Sequence, residues 1–142
     1  MSTQPIVMER LFTASTAKVW KAITDKDEMK KWYFDLAEFR AEIGFQFSFW
    51  GGPAPEKQYL HLCEVTEAVP NQKLTYSWRY DGYEGISFVT FELFEQANHT
   101  LLRLTHTGLD SFPKENLDFA PSNFVEGWTS IIHKGLKKYL KQ

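Results

Sequence analysis

The pattern of apolar and polar positions changes period three times along the chain. Ile6 to Phe12 reads as a first strand. Ser15 then offers an N-cap, and Val19, Trp20 and Ile23 recur at helical spacing through Thr16 to Thr24. Asp25, followed three positions on by Glu28, marks a second helix start, with Met29, Trp32 and Tyr33 as its apolar face. From about residue 36 the period becomes two. Phe45, Phe47 and Phe49 alternate with polar neighbours or Trp50, and Leu74, Tyr76, Trp78 and Tyr80 do the same with Thr75, Ser77 and Arg79. Val89, Phe91 and Leu93, then Leu102, Leu104 and His106, complete the inward set. Within Tyr59 to Thr66 both parities carry apolar residues, so the direction of His61, Cys63 and Glu64 stays open. Turns fall at Gly51-Gly52-Pro53, Pro70-Asn71, Asp81-Gly82 and Asn98-His99.

The period returns to helical after a loop spanning 108–120. The last helix starts near Pro121 to Asn123, with Pro121 suited to a first turn and Asn123 with Glu126 forming a capping box. Phe124, Trp128, Ile131, Ile132, Gly135, Tyr139 and Leu140 form its apolar stripe. A strand, two short helices, a meander of strands and one long helix make an α+β domain. The 142 residues form one such domain, 1–142, large enough to bury about two-thirds of the surface the unfolded chain exposes.

Charge and composition narrow the function classes. Sixteen basic residues stand against eighteen acidic, and the basic cluster Lys134, Lys137, Lys138 and Lys141 suits the C-terminal end of a helix dipole. No basic stripe for nucleic acid is present. One cysteine, Cys63, excludes an internal disulfide framework. No signal peptide is read at the N-terminus and no apolar run reaches the ~18 residues of a membrane span, so a cytoplasmic protein is expected. Aromatic residues make up 16% of the chain, enough to wall a cavity as well as fill a core.

Ordered segments across residues 6–140 carry a family resemblance. They begin with Ala14-Ser15, Val19-Trp20-Lys21-Ala22-Ile23-Thr24-Asp25 and Met29-Lys30-Lys31-Trp32. Glu42-Ile43-Gly44-Phe45-Gln46-Phe47 follows, where a single glycine stands in place of the common pair. Leu74-Thr75-Tyr76-Ser77-Trp78, Val89 to Leu93, Thr100 to Leu109 and Gly127-Trp128 complete the set. The chain resembles the SRPBCC or START-like superfamily, in the branch related to the C-terminal domain of the activator of Hsp90 ATPase. That resemblance implies the helix-grip (START-like, Bet v 1-like) fold, in which a curved antiparallel sheet of six to seven strands wraps a long C-terminal helix. It also implies a cavity between sheet and helix that takes a small hydrophobic ligand. Some members catalyse cyclisation or hydrolysis, and the name-giving co-chaperone implies a possible chaperone partner.

The candidate ligand-binding residues follow from inward parity and from the family landmarks. From the first helices and strands they are Trp32, Phe45, Phe47 and Phe49. From the central strands they are Tyr76, Trp78 and Phe91, with Leu104 and His106 beside them. Trp128 and Ile132 come from the last helix. No histidine or cysteine spacing makes a metal site, and no glycine-rich loop or nucleophile elbow calls for a cofactor or announces a nucleophile. No catalytic residue is assigned. For an enzyme, His106, His61, Tyr76 and Glu64 are the acid or base candidates. Arg10, Glu64 and Arg103 are read as strand charges on the solvent face.

Overall fold

A computed structural model describes residues 5–141. Strand β1 (Ile6–Phe12) leads into helices α1 (Thr16–Thr24) and α2 (Lys26–Trp32). Five strands follow: β2 (Gln46–Ala54), β3 (Lys57–Val69), β4 (Lys73–Tyr80), β5 (Ser87–Gln96) and β6 (His99–Thr107). They form one antiparallel sheet in the order β1-β6-β5-β4-β3-β2, curved into a half-barrel. The two edges, β1 and β2, are consecutive strands, so α1 and α2 carry the chain from one edge of the sheet to the other.

Local chemistry explains the element boundaries. Ser15 Oγ accepts from the Lys18 amide, and Asp25 Oδ1 accepts from the amides of Asp27 and Glu28, so both short helices start on side-chain caps. The side chain of Glu28 turns elsewhere, accepting from Tyr139 O–H of the last helix at 2.8 Å. The Trp32 indole donates to the Ala22 carbonyl at 2.8 Å and locks α2 onto α1.

In the sheet, period two becomes one buried face. β6 buries Thr100, Leu102, Leu104 and His106, and β5 buries Ser87, Val89, Phe91 and Leu93. In β3 the buried set is Tyr59, His61, Cys63 and Val65, which leaves Glu64 on the outer face beside Gln46. Arg103 also lies outside, donating to Glu9 at 2.6 Å. Arg10 does not. It shares the inner parity of β1 with Ile6 and Phe12, is partly buried, and donates from Nη1 to His133 Nδ1 at 3.1 Å. The helix that crosses β1 supplies this partner, which β1 alone could not reveal.

The C-terminal helix starts differently from the expected capping box. Its N-cap is Ala120 and Pro121 occupies the first turn, while Asn123 donates to the Leu117 carbonyl instead of capping. Helix α3 (Pro121–Ser130) runs without a break into a wider π-type segment (Ile131–Leu136) and a last turn (Lys137–Tyr139). Phe124, Trp128, Ile132, Leu136 and Leu140 are buried at strict four-residue spacing. A regular α-helix drifts about 40° per such step, and the wider π turn takes up part of that drift. The stripe therefore stays on the sheet along the helix. No helix among the described residues is long and apolar enough to cross a membrane.

Candidate functional site

A cavity of about 480 Å³ lies between the sheet and the first turns of α3. Its sheet wall is Tyr59 and His61 from β3 with Trp78 and Tyr80 from β4. Its helix wall is Phe124, Gly127 and Trp128 of α3 with Ile131 at the start of the π-type segment, which recur at three- and four-residue spacing. Phe34, after α2, closes one end against Gly51 of β2, and Phe119 from the loop before α3 closes the other. The mouth carries Asp118, Asn123 and Glu126.

Aromatic contacts hold these walls in place. His61 stacks on Phe49 with centroids 4.5 Å apart and meets Trp78 edge-on at 4.8 Å. Phe34 also stacks on Phe49, with centroids 4.2 Å apart, and lies 6.0 Å from His61. Phe119 stacks on Tyr80 at 4.6 Å. Two glycines sit in tight quarters here, and Gly52 cannot be replaced without a shift of the backbone. A Cβ on Gly51 would come 3.1 Å from Phe34 and 3.3 Å from His61, and one on Gly52 would sit 2.0 Å from the Lys57 carbonyl oxygen.

A buried relay supports the helix wall. Trp128 Nε1–H donates to His106 Nδ1 at 2.9 Å. That nitrogen is therefore unprotonated, and the hydrogen sits on Nε2, which donates to Ser87 Oγ at 2.8 Å. Ser87 O–H in turn donates to the Trp78 carbonyl at 2.8 Å. The relay joins the two cavity tryptophans and leaves both nitrogens of His106 occupied. His106 has no exposed surface, and burial pushes its pKa down to about 3. His61 donates from Nδ1 to the Tyr59 carbonyl at 3.0 Å, and burial lowers its pKa to about 4. Both imidazoles are neutral at pH 7.

The mouth is latched by charge. Asp118 Oδ2 accepts from Tyr59 O–H at 2.6 Å and pairs with Lys57 Nζ at 2.9 Å. The hydrogen bonds from Lys57 and then Tyr59 hold the Asp118 carboxyl below its ordinary range, so it is an ionised acceptor and not a proton donor. Burial raises the Cys63 thiol well above its ordinary value, which removes it as a nucleophile at neutral pH. No group of three or more metal-binding side chains occurs among the described residues.

Of the candidate residues, Trp78 and Trp128 face the cavity. Phe49 stands directly behind its Phe34–His61 end. His106 and Phe91 pack against Trp128, with ring centroids 5.9 and 6.0 Å away. Tyr76 is wholly buried, its hydroxyl 2.6 Å from that of Tyr33, and Phe47 packs edge-on against it. Phe45 is half-buried beside Phe39 and Phe47, away from the cavity. Trp32, Leu104 and Ile132 lie in the core. Period two finds the inward face but not which end of it stays empty. Phe34, Asp118 and Phe119 come from loops, and no periodicity marks them. Tyr80 lies beside the Asp81-Gly82 turn, yet it is 5% exposed because Phe112 and Phe119 fold over it.

The fold recurs in solved structures. A protein from Mesorhizobium loti, MLL2253, superposes with a TM-score of 0.78 at 24% identity, over 97% of each chain. CV1439 from Chromobacterium violaceum gives 0.80 at 21% identity, again over 97% of each chain. PFC0360w from Plasmodium falciparum, described as an HSP90 activator, gives 0.74 at 23% identity over 98% of this chain and 97% of its own. At these identities the likeness establishes the helix-grip fold. No curated protein sequence matches the chain. The family profile described as activator of Hsp90 ATPase homolog 1-like protein matches residues 13–141, and with that match the chain belongs to this family.

Proposed function

We propose that this chain binds a small hydrophobic or aromatic molecule in the cavity between the sheet and α3. The observation that carries the reading is the cavity itself: about 480 Å³, walled by aromatic rings and rimmed by a few polar groups. Ligand sites typically occupy roughly 300–1,000 Å³ with that mix of lining. Trp78 and Trp128 would contact the ligand, and His106 and Phe49 would hold those walls.

Gly127 makes the reading testable. It lines the cavity, and a Cβ built there meets nothing within 4 Å. Gly127→Leu would therefore add bulk at the cavity lining without a clash at its Cβ. A thermal-shift screen and native mass spectrometry with sterols, flavonoids, fatty acids and polyketide-like aromatics should give a ligand that stabilises the wild type. The same ligand should fail to stabilise Gly127→Leu. Equal stabilisation of both proteins would place binding elsewhere and end the proposal.

A second reading rests on the Plasmodium falciparum protein, described as an HSP90 activator, and on the family name. It requires the purified chain to raise the ATPase rate of a matching Hsp90. An unchanged rate at saturating chain would dismiss it.

A further inference from the structure

The hydrogen-bonding groups around the cavity are unequally free. Trp78 Nε1–H is given to Tyr80 Oη at 2.9 Å, and Trp128 Nε1–H to His106 at 2.9 Å. His61 Nδ1–H goes to the Tyr59 carbonyl, and Tyr59 O–H goes to Asp118. Asn123 has already given one amide hydrogen to Leu117. The lining's N–H and O–H groups are thus mostly consumed by the protein itself. Among the described side chains that line the cavity, the Tyr80 O–H and the second Asn123 N–H are the donors left over.

Acceptors are in surplus. The Glu126 carboxylate has no hydrogen-bond or ion-pair partner among the described residues. Asn123 Oδ1 is free, because its amide nitrogen makes the bond to Leu117. Asp118 keeps Oδ1 open, since its bonds to Tyr59 and Lys57 both use Oδ2. No lysine or arginine among the described residues lines the cavity, and the exposed Lys57 pairs with Asp118 Oδ2 at 2.9 Å. The N-terminus of α3 is a partial positive charge nearby, but it is smaller than one carboxylate.

We propose that the cavity selects aromatic ligands whose polar end is a hydrogen-bond donor, such as a hydroxyl or an amine, and rejects those ending in a carboxylate. The inference rests on the cavity-binding function above. A carboxylate can only accept. Entering this site it would lose water, find few donors and face Glu126 and Asp118. A hydroxyl or amine finds at least three free acceptors at the mouth.

Three ligands with one ring frame separate the terms: naphthalene, β-naphthol and β-naphthoate. Each is titrated at pH 7 into the isotope-labelled full chain, and amide shift changes give Kd. β-Naphthol should bind ~10-fold more tightly than β-naphthoate. Glu126→Gln, a change at an exposed helix position, should improve β-naphthoate about two-fold and leave naphthalene unchanged. β-Naphthoate binding as tightly as β-naphthol, or more tightly, overturns the donor rule while leaving the cavity reading intact. Naphthalene binding that Gly127→Leu does not weaken, or no binding by any of the three, overturns the cavity reading and this inference with it.

Discussion

Replacing His106 with leucine isolates one buried imidazole and has a consequence that can be worked out in advance. The imidazole is unprotonated on Nδ1, where it accepts from Trp128, and burial holds its pKa at about 3 against an ordinary value of 6.5. The unfolded chain therefore binds a proton at a higher pH than the folded one. Stability from this residue is complete above pH 6.5 and is lost as the pH falls toward 3. Between pH 7 and pH 5 the loss is about 2 kcal/mol. His61, with its pKa lowered to about 4, behaves in the same sense and adds a similar amount. The two together remove roughly 4 kcal/mol over that interval.

His106→Leu should therefore lose about 2 kcal/mol less with acid than the wild type, since the contributions of His61 and of His133, whose pKa is also lowered, are unchanged. At pH 7 the same change costs about 1–3 kcal/mol, because the Trp128 indole N–H is left buried without an acceptor. Urea unfolding followed by tryptophan fluorescence at pH 7, 6 and 5 measures both quantities. Carboxylates titrating in the same range contribute equally to both proteins and cancel in the comparison. His61→Phe provides the complementary half, since a phenyl ring can keep the stack on Phe49. A His106→Leu protein with the same pH dependence as the wild type would refute the reasoning, whatever its stability at pH 7.

Gly127→Ala should stabilise the protein by about 0.5–1 kcal/mol in the same urea assay, since the helix interior gains a better helix former and no Cβ clash arises. Gly52→Ala should have the opposite effect, because its Cβ would meet the Lys57 carbonyl at 2.0 Å and force the β2–β3 hairpin apart; loss of thermal stability checks it. Removing the hydroxyls of Tyr33 and Tyr76 singly and together should give a coupling of about 0.5–1.5 kcal/mol in a double-mutant cycle, reporting the 2.6 Å bond between them. Asp118→Asn should break the pairing with Lys57 and weaken that with Tyr59, seen as faster amide exchange across residues 116–120, with no effect on exchange in β5.

Alternation and capping are local properties, and they are legible in the chain one segment at a time. Ser15 and Asp25 cap the helices their spacing announces, and the strands bury Tyr76, Trp78, Phe91 and Leu104 as period two requires. The order of elements and the set of matched segments were enough to name the fold. Tyr59 to Thr66 was not decidable in this way, because both faces of that strand are partly apolar. Its direction came from pairing, with Phe49 opposite His61 and Tyr80 on the other side, so that the aromatic parity of its neighbours drew His61 inward.

Where the core stops being filled is a property of no single segment. It depends on the curvature of six strands, the four-residue stripe kept in line by a π turn, and loops that bring Phe34 and Phe119 across the ends. The fate of the polar groups was decided in the same way. His106 reads in sequence as a polar residue on an apolar face. Only the approach of Trp128 and Ser87 makes it a neutral, doubly bonded relay. Arg10 reads as a solvent charge, and only the crossing of the last helix gives it His133. The sequence by itself determined the elements, their order and the buried parity, because those follow from local periodicity and capping. The empty space, the tautomers and the free acceptors arise between residues far apart in the chain, and the tertiary structure alone decided them.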